Sequence, residues 1–381
     1  MADTQTATQT AANPGTAQTA SAAIPFPIAS RMQTREAFNT GAVSLATATP
    51  TVNNPIQLPA VGYARFLRLE VTVTSTGGTA FTADGPFNII SSLGLRTSAG
   101  NDLITPQTGY QIFLMNKYGL PNVSAPYCDP RLGSQYSTTA GTAAHFYLDI
   151  PFEIDRETGL GSIPMLAANR SYNLSMTFAP YSVITGASAA TVSVSGTYHY
   201  WTEPPSAGAS NVTQATAPDG TGMISLWQYE NYSLTAGDKL MKINNVGNIL
   251  RTVIFTLRNS SGARIDTNGW PTTAPIQLSL DNEVMWSGYL NDWRKMLIQG
   301  YGYTGGTADA ALGMDTGVIV MPFHVLAGSI SGDPTNSRSQ LLPTLDSAQL
   351  ELRANFGSAV SSLEIQTNNL VPRAATDIYN K

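Results

Sequence analysis

Three histidines and one cysteine are the residues of this chain best suited to metal binding or nucleophilic catalysis. His145, His199, His324 and Cys128 show no metal-ligand spacing with one another. Cys128 lies in the turn-like segment YCDPR, where the sequence indicates no activating base. We therefore expect strand-end or surface histidines and a structural thiol. We predict no catalytic, cofactor-binding or metal-binding residue.

Carboxylates and tryptophans offer a second kind of chemistry, the binding and hydrolysis of sugars. Asp149, Glu153 and Asp155 share the outward side of one predicted strand and could imitate a glycosidase carboxylate pair. Five tryptophans could line a sugar-binding platform: Trp201, Trp227, Trp270, Trp286 and Trp293. The simpler interpretation is a solvated or interface strand face for the carboxylates. For the tryptophans it is burial in a core or a subunit interface.

The elements that must position these residues are predicted from composition. The chain has 381 residues, a net charge of −5 and only 12% charged residues, about half the usual share. Ser, Thr, Ala, Gly and Asn take the place of Lys and Glu, which favours strands and turns over exposed helices. The sequence has no basic cluster, which argues against direct nucleic-acid binding. No apolar run approaches the ~18 residues of a membrane span.

Four segments of the first half recur in the same order in the second half. Phe66 to Gly78 resembles Ile249 to Gly262, with Leu67-Arg68 opposite Leu250-Arg251. The other pairs are GYQIFLMNKYG with GYLNDWRKMLIQGYG, FYLDIPFEI with VIVMPFHV, and YNLSMTF with LELRANF. In the last two pairs the apolar positions agree in phase while the outward positions differ, as two copies of one fold require. We infer an internal duplication.

In the first of these pairs the apolar positions do not agree in phase. The inner face of the first copy begins at Leu67, but Val253, Phe255 and Leu257 have the opposite phase under this alignment. Because Leu250 and Ile254 keep the expected phase, the second strand has apolar residues on both sides. We predict that Val253, Phe255 and Leu257 make a buried contact with the other domain or with another subunit.

Each half of the chain shows four strands, a short helix and four more strands. This order predicts an all-β chain of two tandem eight-stranded jelly rolls, each with a short helix after the fourth strand. The predicted boundaries are an N-terminal arm at 1–49, a first jelly roll at 50–202 and a second at 223–372. A Pro-, Gly- and Ser-rich linker at 203–222 separates the two, and a tail follows at 373–381.

The N-terminal arm has two parts. Residues 1–23 are almost all Ala, Thr, Gln, Ser and Gly, a composition that cannot offset its own ordering entropy. The segment IPFPIASRMQTREAF follows, and Ser30 as a possible N-cap predicts a short helix there. It is either a linker packed on the first domain or an arm that reaches a neighbouring subunit or an inner surface. The candidate contact residues are Ile24, Phe26, Ile28, Arg31 and Arg35.

Two consecutive eight-stranded units with this helix resemble the double jelly-roll major capsid proteins, especially those of tectivirus-type, membrane-containing bacteriophages. The resemblance covers about residues 50–372 and lies in architecture and duplication, without a short signature motif. It implies a structural subunit, not an enzyme, that forms pseudo-hexagonal homotrimers tiling an icosahedral virion shell. The implied partners are other copies, minor capsid or vertex proteins and the outer face of an internal viral membrane, without direct nucleic-acid contact. The implied location is the virion, after synthesis in the host cytoplasm.

Two other classes of protein remain as alternatives. The first is a phage spike or receptor-binding β-sandwich protein that recognises a glycan, and the second is an enzyme on a β-sandwich scaffold. The duplication favours the shell subunit, because a tile gains from two equivalent domains whereas an enzyme normally needs one cleft.

Overall fold

The computed structural model describes the following residues: 26–76, 81–82, 84–119, 143–154, 159–165, 171–184, 188–203, 224–244, 248–301, 315–323, 341–344 and 349–371. Cys128, Asp155, His324 and Ile24 lie outside this part of the chain, as do most of the predicted linker and the C-terminal tail.

The first unit contains three short helices and eleven strands within the described residues. In chain order they are α1 Phe26–Ala29, β1 Met32–Asn39, β2 Val43–Ser44, β3 Thr51–Val52, β4 Ile56–Gln57, β5 Tyr63–Thr76, β6 Ile90–Thr97, β7 Asp102–Gln107, α2 Gly109–Gly119, β8 Ala143–Pro151, β9 Ile163–Pro164, β10 Tyr172–Phe178, α3 Tyr181–Ile184 and β11 Ala189–Trp201.

The second unit repeats this order with one helix among its described residues. Its elements are β12 Ile224–Ser233, β13 Gly237–Ile243, β14 Ile249–Arg258, β15 Ile276–Leu280, β16 Glu283–Gly288, α4 Leu290–Tyr301, β17 Val318–Pro322, β18 Leu342–Pro343, β19 Leu350–Phe356 and β20 Ser362–Val371. The predicted order of four strands, helix and four strands is confirmed in both units, as β4 to β11 and β13 to β20.

The strands form three sheets. Sheet A has the order β1-β11-β5-β8, with β2 paired to β11 and β9 paired to β5. Sheet B runs through both units as β17-β14-β20-β12-β7-β6-β10-β3, and sheet C has the order β13-β19-β15-β16. Sheet A and the β7-to-β3 part of sheet B enclose the core of the first unit, while sheet C and the β17-to-β12 part enclose that of the second.

Alternating apolar side chains build these cores, as in a sandwich of two antiparallel sheets. On β5, Leu67, Leu69, Val71 and Val73 are fully buried, while the side chains between them face outward. The hairpin of β15 and β16 is closed by Asp281 and Asn282, whose φ angles of 49° and 69° are those of a two-residue type I′ turn. Local turn chemistry and the two-residue period therefore specify the registers.

One segment of the first unit differs from the sequence-based expectation. The helix predicted after Ser30 is wrong: α1 ends at Ala29, and Arg31 precedes the strand β1. This strand pairs antiparallel with β11 from Met32 to Asn39, so sheet hydrogen bonds outweigh the weak helical signal of MQTREAFN. Residues of the predicted arm thus form the edge of sheet A.

Candidate functional site at the joint between the two units

The two described histidines lie on the outer side of sheet A and are not brought together at a site. His145 Nε2 is 2.7 Å from Glu70 Oε1. His199 stacks on the ring of Phe66, with centroids 4.1 Å apart. Burial, reinforced by the charge of Arg68, lowers the pKa of His199 to about 4, which keeps the ring neutral at neutral pH. Among the described residues, no three His, Cys, Asp or Glu side chains are grouped so as to hold a metal ion.

The two described carboxylates of the glycosidase-like strand are buried and paired with arginine. Arg68 donates Nε and Nη2 to Asp149 over 2.8 and 2.9 Å. Glu153 accepts from Arg65 Nε over 2.9 Å and from Trp201 Nε1 over 2.8 Å. Of the two expected settings, a solvated or an interface strand face, the solvated one is therefore wrong for Asp149 and Glu153. These contacts occupy both oxygens of each group, which suits a structural role.

The tryptophans do not form an exposed platform. Trp227, Trp270 and Trp293 are at most 2% exposed, and Trp201 is also buried. Trp286 is partly buried and meets Trp293 edge-on. The expected burial is confirmed for four of the five, while Trp286 is partly buried.

A constellation of buried polar residues lies where the two units meet, a region that we call the joint. Its first component is sheet B itself, because β12 of the second unit runs parallel to β7 of the first, with Trp227 opposite Ile104. Trp227 also packs against the end of α2, where a Cβ on Gly119 would lie 2.3 Å from the indole ring. Only glycine permits this close approach.

A carboxylate held between two guanidinium groups forms the second component of the joint. Asp84 of the first unit accepts from Arg258 Nη1 over 2.7 Å and from Arg264 Nε over 2.6 Å. Arg258 also donates Nε to Glu364 over 2.7 Å. Burial disfavours ionisation of Asp84, but the two guanidinium charges outweigh it and lower the pKa of this carboxyl below its ordinary value.

The helix α2 supplies the third component. Lys117 Nζ pairs with Asp315 of the second unit, and both side chains are at most 2% exposed. Tyr118 donates its hydroxyl to Asp315 Oδ1 over 2.9 Å. The guanidinium of Arg264 lies 4.4 Å from the ring centroid of Tyr110. Burial raises the pKa of the Tyr110 hydroxyl well above its ordinary value, so this ring stays neutral.

Amide side chains complete the joint. Gln366 Nε2 of the second unit donates to Gln107 Oε1 over 2.7 Å and to the backbone oxygen of Gln111 over 3.0 Å. Apolar surfaces alone tolerate sliding, whereas buried directional bonds such as these fix one relative placement. The joint therefore holds the two units in a single orientation.

Structural comparisons find solved structures of viral capsid proteins that are similar to this chain in fold. A chain from the atomic structure of Sulfolobus turreted icosahedral virus matches with a TM-score of 0.61 and 11% identity, over 92% of this chain and 96% of that chain. The PBCV-1 virus capsid gives 0.59 and 12%, over 90% and 93%. The major capsid protein of bacteriophage PM2 gives 0.51 and 13%, over 90% and 97%. No protein-family profile and no curated protein sequence matches.

The chain has the double jelly-roll fold. The predicted resemblance to double jelly-roll major capsid proteins is thereby confirmed at the level of fold, with the first and second units as its two jelly rolls. Among the described residues, no helix has the length and apolar character needed to cross a membrane.

Strand pairing shows how the two jelly rolls correspond. Phe66 of β5 pairs with Pro151 on one side and His199 on the other, and Thr252 of β14 pairs with Pro322 and Asn368. In both strands the residue just before is bulged out of the ladder, Arg65 in the first and Arg251 in the second. Phe66 and Thr252 are therefore equivalent. The alignment on the Leu-Arg dipeptides instead sets Phe66 opposite Ile249, so it is in error by three residues.

This register corrects the interpretation of Val253, Phe255 and Leu257. They are equivalent to the inner face that begins at Leu67, and all three lie in the core of the second jelly roll. The face of β14 that meets the first jelly roll carries Ile254, which packs with the core of that jelly roll. The strand is buried on both faces, but the three predicted residues are not the ones at the joint. The shifted sequence alignment exchanged the two faces.

The predicted arm residues lie away from the joint. Ile28 is 74% exposed at the end of α1. Arg31 and Arg35 are exposed, and the backbone N–H of Arg31 donates to Thr202 Oγ1 over 2.9 Å. Phe26 begins α1, and Ile24 is outside the described residues. An exposed edge of sheet A is thus available for contact with another molecule.

Sequence reasoning missed the charged residues of the joint. One signal was present, since Lys117 lies within the apolar run IFLMNKYG of a chain that has few charges. A charge in such a run indicates a buried partner. The identity of that partner, Asp315, follows only from the folded structure, because 198 residues separate the two.

Proposed function

We propose that this chain is the major capsid protein of an icosahedral virus, a structural subunit that forms homotrimers with a pseudo-hexagonal outline. The observation that carries the proposal is the joint. Two equivalent jelly rolls are locked into one body by a shared sheet and buried ion pairs. A rigid body with two similar domains can present similar side walls in several directions, as a shell tile must.

The comparisons support this proposal through fold and coverage. The three similar structures are matched over at least 90% of this chain and 93% of theirs, so nearly the whole chain is accounted for by this fold. Their names place them in virus particles or capsids. The location proposed for this chain is accordingly the virion shell, and its first partners are further copies of itself.

The paired state of the candidate catalytic groups also supports a structural role. Asp149 and Glu153 are tied to arginines, and His199 is neutral against Phe66. We propose no catalytic activity. Contacts with minor capsid or vertex proteins, and with the outer face of an internal membrane, belong to the same proposal.

Light scattering coupled to size exclusion, followed by electron microscopy of the purified chain, tests this function. We expect particles of three chains of 40.4 kDa each, with a hexagonal outline, and sheets or shells at high concentration. A stable monomer that binds a glycan would contradict the proposal and favour the spike protein instead.

A further inference from the structure

The surface of the first jelly roll at the joint is covered by the second. Every residue of α2 is buried, and the helix packs against β14 and β17. The neighbouring strand β7 has its outer edge paired with β12. Its apolar residues Leu103 and Ile104 are each 2% exposed.

The equivalent surface of the second jelly roll is not covered in this way by any described strand or helix. Sheet C ends at β16, whose outer edge pairs with no described strand. Along β16 and α4 four large apolar side chains are 44–56% exposed: Val284, Met285, Tyr289 and Ile298. Ile298 aligns with the fully buried Met115 when the helices are matched at Tyr118 and Tyr301. We call this surface the β16–α4 face.

Strand β12, which covers the first jelly roll at the joint, also has a counterpart in the first jelly roll, the exposed strand β1. Strand β12 pairs with the last strand β20, as β1 pairs with the last strand β11. Because His199 and Asn368 are equivalent, their partners Thr34 and Trp227 are equivalent too. Yet β1 is exposed along most of its length and forms the end of sheet A, with Met32 61% exposed. We call α1 and β1 the β1 edge.

We propose that the β16–α4 face binds the β1 edge of a second copy of this chain, repeating between copies the contact that the joint makes within one. The inference deepens the proposed function, on which it rests, by naming the two surfaces that associate. An apolar edge strand left open is an aggregation site in a monomeric protein. In this chain each of the two surfaces occurs in both jelly rolls. One copy of each is buried in the joint, and the other copy is exposed.

The outer faces of the strands show matching chemistry. At the joint the apolar pair Ile254 and Val320 of β14 and β17 faces the wholly buried helix α2. The equivalent pair on β5 and β8 is Arg68 with Asp149. In the proposed contact this pair would face α4, which exposes Asp292 and Lys295. The polar outer face of β5 and β8 would thus meet the polar helix α4, just as the apolar outer face of β14 and β17 meets the buried helix α2.

The proposed contact is heterologous, because each surface binds the other and not itself. Such contacts form a ring if the rotation closes and a filament if it does not. Each copy has one β16–α4 face and one β1 edge. Blocking either surface on every copy should therefore stop association completely.

Two blocking variants and one matched control test the interface. Met285→Glu with Ile298→Glu blocks the β16–α4 face, and Ile28→Glu with Met32→Glu blocks the β1 edge. Leu240→Glu is the control, because Leu240 is 57% exposed on β13, at the opposite end of sheet C. By light scattering we expect both blocked variants at the mass of one chain and the control at the wild-type mass. Unchanged circular dichroism would show that the blocked chains are folded.

Mixing the two blocked variants gives the sharper test. Each retains one intact half of the interface, so the mixture should form particles of two chains that grow no further. Association of either blocked variant at the wild-type mass, or a mixture that remains monomeric, would overturn the proposed surfaces.

The wild-type control separates this inference from the proposed function. Wild-type trimers that are insensitive to both sets of substitutions would leave the capsid function standing and reject these surfaces. A wild-type chain that remains monomeric would contradict the proposed capsid function itself, whatever the variants do.

Discussion

The same strand position carries opposite chemistry in the two jelly rolls. Arg68 and Asp149 form an ion pair on the outer side of β5 and β8, whereas the equivalent Ile254 and Val320 are apolar and buried on β14 and β17. The inner faces of the same strands are apolar in both, as at Leu67 and Val253. A duplicated fold thus keeps the residues that face its own core. The outward residues differ according to what covers them.

Ion pairs show the same contrast between the joint and the free surface. Lys117 and Asp315 are buried, while Arg353 and Asp238 on sheet C are each more than half exposed. Removing one partner of a buried pair leaves a charge without its counterion, whereas exposed pairs are screened by water. The comparison therefore predicts that substitutions of charged residues lower the stability of the fold strongly at the joint and weakly away from it.

Lys117→Ala should have the largest effect, because it leaves the buried Asp315 carboxylate without its ammonium partner. We expect the free energy of unfolding to fall by about 3–5 kcal/mol, measured by urea denaturation. The double variant Lys117→Met with Asp315→Leu removes both charges and should recover most of this loss. The remainder reflects the buried Tyr118 hydroxyl, which loses its acceptor. A loss of less than about 1 kcal/mol in the single variant would show that the joint does not depend on this pair.

The fold was largely predictable because it depends on local signals that recur twice. Alternation such as that of YNLSMTF and LELRANF specifies half-buried strands, and the repeated order specified the two jelly rolls. The strand β1 was not predictable from its own residues, since MQTREAFN has no clear two-residue alternation. It exists because β11 offers it a ladder of hydrogen bonds.

A pH-dependent difference between the jelly rolls should come from His199, whose equivalent in the second jelly roll is Asn368. The pKa of His199 is about 4 in the folded chain, against an ordinary value of 6.5. Its contribution is thus present above pH 6.5 and lost as the pH falls towards 4. His199→Asn should reduce the acid loss of stability over this range by about 1 kcal/mol, since the ring is partly solvated.

Thermal unfolding of both proteins between about pH 7 and about pH 4 measures this difference. The wild-type midpoint should fall more steeply than that of the variant. Parallel curves would show that protonation of His199 is not coupled to folding.

The joint was less predictable than the fold, because its partners come from distant parts of the chain. Arg251 illustrates the difficulty: Leu-Arg recurs in both copies, yet the structure matches Arg251 to the bulged Arg65 and not to Arg68. Aligning the two dipeptides shifts the strands by three residues, and an odd shift moves every side chain to the opposite face. Sequence alone therefore detected that β14 is apolar on two sides but exchanged the sides.

Arg353→Ala should have the smallest effect of the three substitutions. Arg353 donates to Asp238 over 2.6 Å, and this hydrogen bond and the charge of Asp238 raise the pKa of the guanidinium above its ordinary value. Both side chains are nevertheless open to solvent on β13 and β19, where water and salt replace the lost contact. We expect the thermal midpoint to stay within experimental error of wild type at physiological salt. A destabilisation comparable to that of Lys117→Ala would mean that burial at the joint is not what distinguishes the two pairs.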